Sequence, residues 1–426
     1  MVLNYIWIGF FLVGLIVALV RTIGYLLQHG FDITLWANFN VADRDVFVSM
    51  VNSTFSMAKT SIEIAIYLIG IMTLWLGIMK IGEKGGAVNI LSRMVSPFFR
   101  RIFPEIPKNH PAMGSILMNF CANMLGLDNA ATPFGIKAMH ELQELNPKKD
   151  TASNAQILFL VLNTSGLTII PISIIALRAA SGSANPADVF LPLLLSTFCA
   201  SLTGLIAVSI VQKINLLNGV VLLYLGSISI IITLLCYFMQ SLAQDHLSVF
   251  SVLSGNIVLF GFIMFFMFSG IRERINLYDS FIEGAKEGFG VAVKIIPYLV
   301  AMLVAIGIFR ASGAMDYLIN GISYLLGKIG FDTSFVPALP VALMKPLSGS
   351  GARGMMVEAM KTYGPDSFIG HLSCIFQGST ETTFYVVAVY YGAVGIIKTR
   401  YTITCGLLAD LAGVLAAIFW ANVFFR

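Results

Sequence analysis

Charge is what this sequence has least of. Asp, Glu, Lys and Arg make up only 11% of its 426 residues, against about 25% in an ordinary soluble domain. That scarcity excludes a solvated globular surface. The 26 basic and 22 acidic residues form no dense tract, so nucleic acid is not an expected partner. Metal ligands are also sparse. The five histidines (His29, His110, His140, His246, His371) are scattered with no carboxylate at ligand spacing, so no metal site is expected. The five cysteines (Cys121, Cys199, Cys236, Cys374, Cys405) have no C-x-x-C spacing and read as small buried hydrophobes. Polar intervals are too short for a soluble catalytic domain, and no Ser/His/Asp arrangement stands out. An enzyme is not expected.

What is present is apolar sequence. Hydrophobic residues make up 57% of the chain and the mean hydropathy is +0.85. Runs long enough for the roughly 20 helical residues that cross a hydrocarbon core lie near 5–28, 61–80, 155–180, 187–212, 216–240, 248–270, 291–310, 367–394 and 400–425. This predicts an all-α polytopic membrane protein with about nine spans. The first run lacks a basic n-region and a small-residue cleavage site, and reads as a retained span.

The sequence also repeats itself. AKTSIEIA (58–65) pairs with AKEGFGVA (285–292), GIMK (77–80) with GIFR (307–310), and the Ala-Met of GIKAM (135–139) with that of GMMVEAM (354–360). NTSGLTIIP (163–171) pairs with QGSTETTFY (377–385), and ASLTGLIA (200–207) with ADLAGVLA (409–416). Their common order predicts two repeats. The expected organisation is an N-terminal span and loop (1–46), a first repeat (47–213), two linking spans (214–276) and a second repeat (277–426). Eight Lys and Arg between Lys84 and Lys149, followed by Lys213, Arg272, Arg274 and Lys286, mark one side as cytoplasmic. On that basis the repeats are inverted relative to each other, an architecture common in secondary transporters.

Each repeat has two expected interruptions. GSILMNFCANMLGLDNAATPFGIKAM (114–139) reads as two half-helices broken at Gly126 to Asn129. Its partner, VPALPVALMKPLSGSGARGMMVEAM (336–360), breaks at Ser348 to Gly351. Both are read as re-entrant hairpins. The second partner contains a literal G-x-G-x-x-G in Gly349, Gly351 and Gly354, but a Pro-flanked half-helix precedes it where a dinucleotide site needs a strand. Its amides, with Lys345 and Arg353 nearby, instead suit an anionic group. The alternative is that these glycines only allow close helix packing.

The other two breaks fall at LNTSGLT (162–168) and FQGSTETT (376–383), inside long apolar runs. Non-helical backbone at membrane depth is tolerated only against protein or a wet cavity. Asn119, Asn123, Asp128, Asn129 and Thr132 are therefore expected to face Ser348, Ser350 and Arg353. Asn163, Thr164, Ser165, Gln377, Ser379 and Thr380 are expected to line the crossing breaks. Glu381 and Asp410 are carboxylates inside apolar runs, and the two acids are candidates for holding a coupling ion or pairing with Lys345 or Arg353.

The run NFCANMLGLDNAATPFGIKAMHELQELNP (119–147), with LVLNTSGLTIIP (161–171 with its leading Leu160), resembles spore maturation protein A. The run from Lys345 to Tyr401, beginning KPLSGSGARGMMVEAMKTYGPDSFIGHLSCIFQGSTETTFY, resembles spore maturation protein B. The chain thus resembles a fusion of the two, within the nucleoside-recognition or Gate domain family. That family is similar to the gating halves of concentrative nucleoside transporters and bacterial ferrous-iron transporters. The resemblance implies paired inverted units with broken helices in a bacterial inner membrane. It also implies movement of a small polar or anionic solute, nucleoside-like or other. Iron is not expected, because the breaks carry Asn, Ser, Thr and Gly where iron relatives use cysteine. No cofactor is expected beyond Na⁺ or H⁺ as a coupling ion. Membrane lipid is the surrounding partner, and a homo-oligomer is compatible with the small-residue faces at Gly204 and Gly413. The competing reading is a non-transporting scaffold for envelope or spore-maturation machinery, contacting partners through the loops at 29–46 and 84–110.

Overall fold

Apolar sequence interrupted by glycine, proline and short polar runs folds into helices, with no strand among the described residues beyond a single bridge between Thr151 and Lys398. The computed structural model describes residues 2–30, 40–107, 110–125, 128–240 and 244–426. The chain begins with α1 (Val2–Gly30) and the short α2 (Val41–Arg44). A series follows: α3 (Val46–Lys84), α4 (Ala87–Ile102), α5 (Pro111–Met124), α6 (Asp128–Leu145), α7 (Asn154–Ser165), α8 (Ile172–Ala180) and α9 (Phe190–Gln212). Two linking helices, α10 (Gly219–Gln240) and α11 (Gln244–Arg272), lead into a second series. This comprises α12 (Leu277–Ala311), α13 (Ala314–Lys328), α14 (Leu339–Met344), α15 (Gly349–Tyr363), α16 (Phe368–Gly378), α17 (Thr383–Ala393) and α18 (Thr402–Phe425). The second series has the same seven α-helices in order as the first, with an added 3-10 turn (Val336–Ala338) ahead of α14.

The local chemistry repeats as well. The turn into α4 ends on Gly86 (φ 75°) and the turn into α13 on Gly313 (φ 88°), a left-handed conformation that glycine adopts without a Cβ penalty. Ser153 caps α7 and Ser367 caps α16, each accepting a hydrogen bond from an amide in the first turn.

Corresponding helices pack antiparallel. On the α3–α12 seam, Gly284 lies on the Leu76 carbonyl and Gly288 on the Met72 carbonyl, so one helix ascends as the other descends. The α9–α18 seam is reciprocal: Gly204 sits on Ala409, and Gly413 on Ala200. Such self-complementarity marks a two-fold relation. These small residues therefore serve packing within the chain. Ion pairs from Lys80 to Glu283 (3.6 Å) and Glu287 (3.1 Å) close one end of the α3–α12 seam.

Among the described residues, six unbroken helical segments are long and apolar enough to cross a membrane: Tyr5–Gln28, Val46–Lys84, Phe190–Gln212, Gly255–Arg272, Leu277–Ala311 and Thr402–Phe425. The protein is a multi-pass membrane protein. The remaining runs of the expected nine take other forms. The runs 155–180 and 367–394 are each split into two short helices, as the breaks expected within them require, and the run at 216–240 is the helix α10. The stretches 47–60 and 277–290 run without interruption into the apolar runs that follow them, in α3 and α12. At 1.5 Å per residue, the 39 residues of α3 reach about 58 Å, well beyond a hydrocarbon core.

The series also interlock through their connecting turns. The turn between α8 and α9 meets that between α15 and α16 around Arg178, whose side chain is 0% exposed. Arg178 donates to Asp188 (2.9 Å), Asp366 (3.0 Å) and the Pro365 carbonyl (2.8 Å). His371 lies 2.8 Å from the second oxygen of Asp188 and stacks on Phe425. The turn between α6 and α7 meets that between α17 and α18 in the same manner. There Lys398 pairs with Asp150 at 2.8 Å, and Arg400 donates to the Ala152 carbonyl and Asn154.

Candidate functional site

Asn163 and Gln377 occupy matching places near the ends of α7 and α16, just before those helices stop. After Ser165 the chain turns through Gly166 (φ 48°) and resumes as α8 behind Pro171, which has no amide to donate. After Gly378 it resumes at Thr383 as α17. Neither break leaves its backbone stranded. The Ile169 amide donates to the Met124 carbonyl at the end of α5 (2.9 Å), and the Phe384 amide to the Pro346 carbonyl just after α14 (3.1 Å). The breaks also touch each other: the Glu381 amide donates to the Thr164 carbonyl at 2.8 Å. A Cβ on Gly166 would come within 2.9 Å of Glu381 Cγ.

Around this meeting point lies a cavity of ≈ 220 Å³. Asn123, Thr132, Asn163, Lys345, Arg353, Gln377 and Glu381 all line it, so seven of the expected site residues converge from both series. Asn123 donates to Asn163 at 2.9 Å, and Gln377 reaches the Gly349 carbonyl at 3.5 Å. Lys345 is buried and lies 3.9 Å from Glu381, whose carboxylate is half exposed. Arg353 pairs with neither acid. It has no hydrogen bond or ion pair among the described residues, and its Nε is buried without a partner.

The other expected residues stand elsewhere. Asn119 is buried behind the wall, donating to the Ala131 carbonyl (2.7 Å) and toward the Tyr390 hydroxyl (3.4 Å). Thr164, Ser165 and Ser379 bond back to carbonyls of their own helices, the ordinary fate of hydroxyls in apolar helices. Thr380 is buried outside the lining. Ser348 caps α15 by accepting from the Gly351 amide (3.0 Å), with Ser350 Oγ at 3.3 Å. This corrects the second break, which lies at 345–348 with the glycines already in the first turn of α15. Asp410 is 5% exposed and accepts from Thr383 (2.7 Å), one helix behind the lining. Gly126 and the side chains of Asp128 and Asn129 lie outside the described residues, as does most of the loop at 29–46. The stretch 84–110, read as a loop, contains α4.

Several lining residues escaped sequence reasoning: Thr168, Ser173, Tyr385 and Tyr390. The tyrosines follow Glu381 on α17, and aromatics beside an intramembrane polar break were the available signal. Asp188, Asp366 and His371 likewise bring one donor atom each within 4.8 Å, a spacing a metal could use. Arg178 already bonds both carboxylates, so the cluster reads as a structural clasp. Burial pushes the Asp366 carboxyl up, but hydrogen bonds from Ser183 and the Ala184 amide, with the nearby Arg178 and His371, hold it below its usual value.

The family model described as nucleoside recognition, Gate, matches residues 65–181 and 292–397, together more than half of the chain. The chain belongs to the Gate nucleoside-recognition family. Among curated relatives it is 48% identical over 156 residues to spore maturation protein B of Bacillus subtilis (strain 168), covering 86% of that protein and 37% of this chain. It is 46% identical over 154 residues to spore maturation protein A of the same organism, covering 79% of that protein and 36% of this chain. No solved structure matches. The matched Gate segments contain every residue that lines the cavity.

Proposed function

We propose that this protein carries a small polar or anionic solute across a bacterial cytoplasmic membrane by alternating access between two inverted Gate units. The observation that carries this reading is Arg353. A guanidinium with a buried, unpartnered nitrogen is costly unless an anion joins it, and this one faces a cavity where four interrupted helices meet. Lys345 and Glu381 leave the cavity with one excess positive charge. Asn123, Asn163, Gln377 and Thr132 supply neutral donors and acceptors for the rest of the solute. The family's description makes nucleosides and nucleotides the first solutes to test. The antiparallel seams give the units a two-fold relation in which rocking exposes the cavity alternately to each side. Glu381 is the group placed to hold a coupling Na⁺ or proton, and Asp410 acts behind it through Thr383.

The test is a thermal-shift panel on detergent-purified protein with nucleosides, nucleotides, carboxylates and phosphate, with and without Na⁺ and at two pH values. A true ligand at ~100 times its dissociation constant adds roughly 2.7 kcal/mol. Arg353→Ala should lose that shift while keeping, or slightly raising, the unliganded midpoint, since it removes an uncompensated charge. A shift that survives the substitution removes Arg353 from the site. A silent panel moves the protein toward a membrane scaffold.

A further inference from the structure

α4 carries three arginines with no assigned task. Arg93, Arg100 and Arg101 are exposed, and none has a hydrogen bond or ion pair among the described residues. They border a cavity of ≈ 650 Å³ beside Val220, at the first turn of α10, and no acidic side chain shares its wall. Next along α10 comes a slot of ≈ 120 Å³ with an apolar wall, lined by Phe98, Phe120, Leu205, Tyr224, Leu225 and Ile228 among others. Val220, Tyr224 and Ile228 stand four residues apart, so they form one stripe on α10, about 12 Å long at 1.5 Å per residue. Tyr224, on the slot wall, ties α10 to the arginine-bearing α4: its hydroxyl donates to the Met94 carbonyl at 2.5 Å, and its ring lies 5.7 Å from that of Phe98. Neither compartment shares a residue with the cavity of the Gate units.

We propose that this is a binding site for an anionic glycerophospholipid, with its phosphate among Arg93, Arg100 and Arg101 and one acyl chain in the slot beside Tyr224. Guanidinium groups match phosphate oxygens in geometry and charge. An apolar slot continuing from such a cluster, toward the interior of a membrane helix, matches an acyl chain. A soluble phosphate compound would leave the slot unfilled. The cluster also lies on the basic side of the protein, where an anionic leaflet attracts Lys and Arg.

Native mass spectrometry would count bound phosphatidylglycerol and phosphatidylcholine of identical chain length on delipidated full-length protein. Phosphatidylglycerol is expected to bind in preference. The triple variant R93A/R100A/R101A is expected to bind it roughly 100-fold more weakly, at about five-fold per charge, and the triple lysine variant to recover most of the loss. Ile228→Trp, which fills the slot, should weaken phosphatidylglycerol with all arginines intact. Matching unfolding midpoints in lipid-free detergent show that the variants are folded. Equal binding of the two lipids, or wild-type binding by the triple alanine variant, overturns the proposal. So does inorganic phosphate stabilising the protein as much as phosphatidylglycerol does, which would mark a site for free anions.

Discussion

Replacing Arg178 with Met should show how strongly the turns of one series hold those of the other. The side chain is fully buried and donates to Asp188, Asp366, Ser183 and the carbonyls of Pro186 and Pro365. Methionine keeps much of the volume but none of the donors. Asp188, 11% exposed, would lose its guanidinium partner and keep His371, and breaking a buried pair by removing one partner costs about 3–5 kcal/mol. Asp366 is 40% exposed and adds little after solvent screening. The expected loss is therefore about 3–4 kcal/mol. At about 2–4 °C per kcal/mol, the scale for domains of 150–250 residues, this is an apparent midpoint roughly 6–16 °C lower, measured in detergent at one scan rate because unfolding is commonly irreversible. Adding Asp188→Asn should restore part of the loss, since it removes the buried charge that the guanidinium had balanced and makes the pair non-additive. A single variant within experimental error of wild type, or strictly additive losses, would refute the reasoning.

Two further tests address packing and pH. Gly288→Val should destabilise the protein by about 1–3 kcal/mol or more, because its Cβ would meet the Met72 backbone, whereas Gly290→Ala, with nothing within 4 Å, should be neutral or slightly stabilising. A thermal-shift comparison of the two checks the α3–α12 seam. The lowered Asp366 pKa predicts stabilisation that is complete above the ordinary carboxylate range, near pH 4, and is lost as pH falls through the folded-state value. The wild-type midpoint should then fall more steeply between about pH 5 and pH 3 than that of Asp366→Asn. Parallel curves would remove Asp366 from the acid response.

Local chemistry announced the interruptions but not their partners. Gly166 turns left-handed after α7 and Pro171 has no amide to donate, so the split of 155–180 was legible in LNTSGLTIIP. The position of the second break was less so: Ser348 caps the helix by reaching forward to the Gly351 amide, which draws the glycines into α15. Hydropathy registers an apolar run and not whether its backbone is continuous, so the runs at 155–180 and 367–394 needed their polar residues to show the breaks.

Composition by itself determined that this protein lies in a membrane, since so little charge cannot cover a soluble surface. The order of its motifs determined that it is built twice. The tertiary structure decided which polar groups share a space. Thr164 and Arg353 look equally eligible in sequence, but Thr164 spends its hydroxyl on the Val161 carbonyl while Arg353 is left facing a cavity without a partner. Hydrogen-bond satisfaction depends on every neighbour at once, and residues nearly two hundred positions apart, such as Arg178 and Asp366, become neighbours only when the two series close on each other.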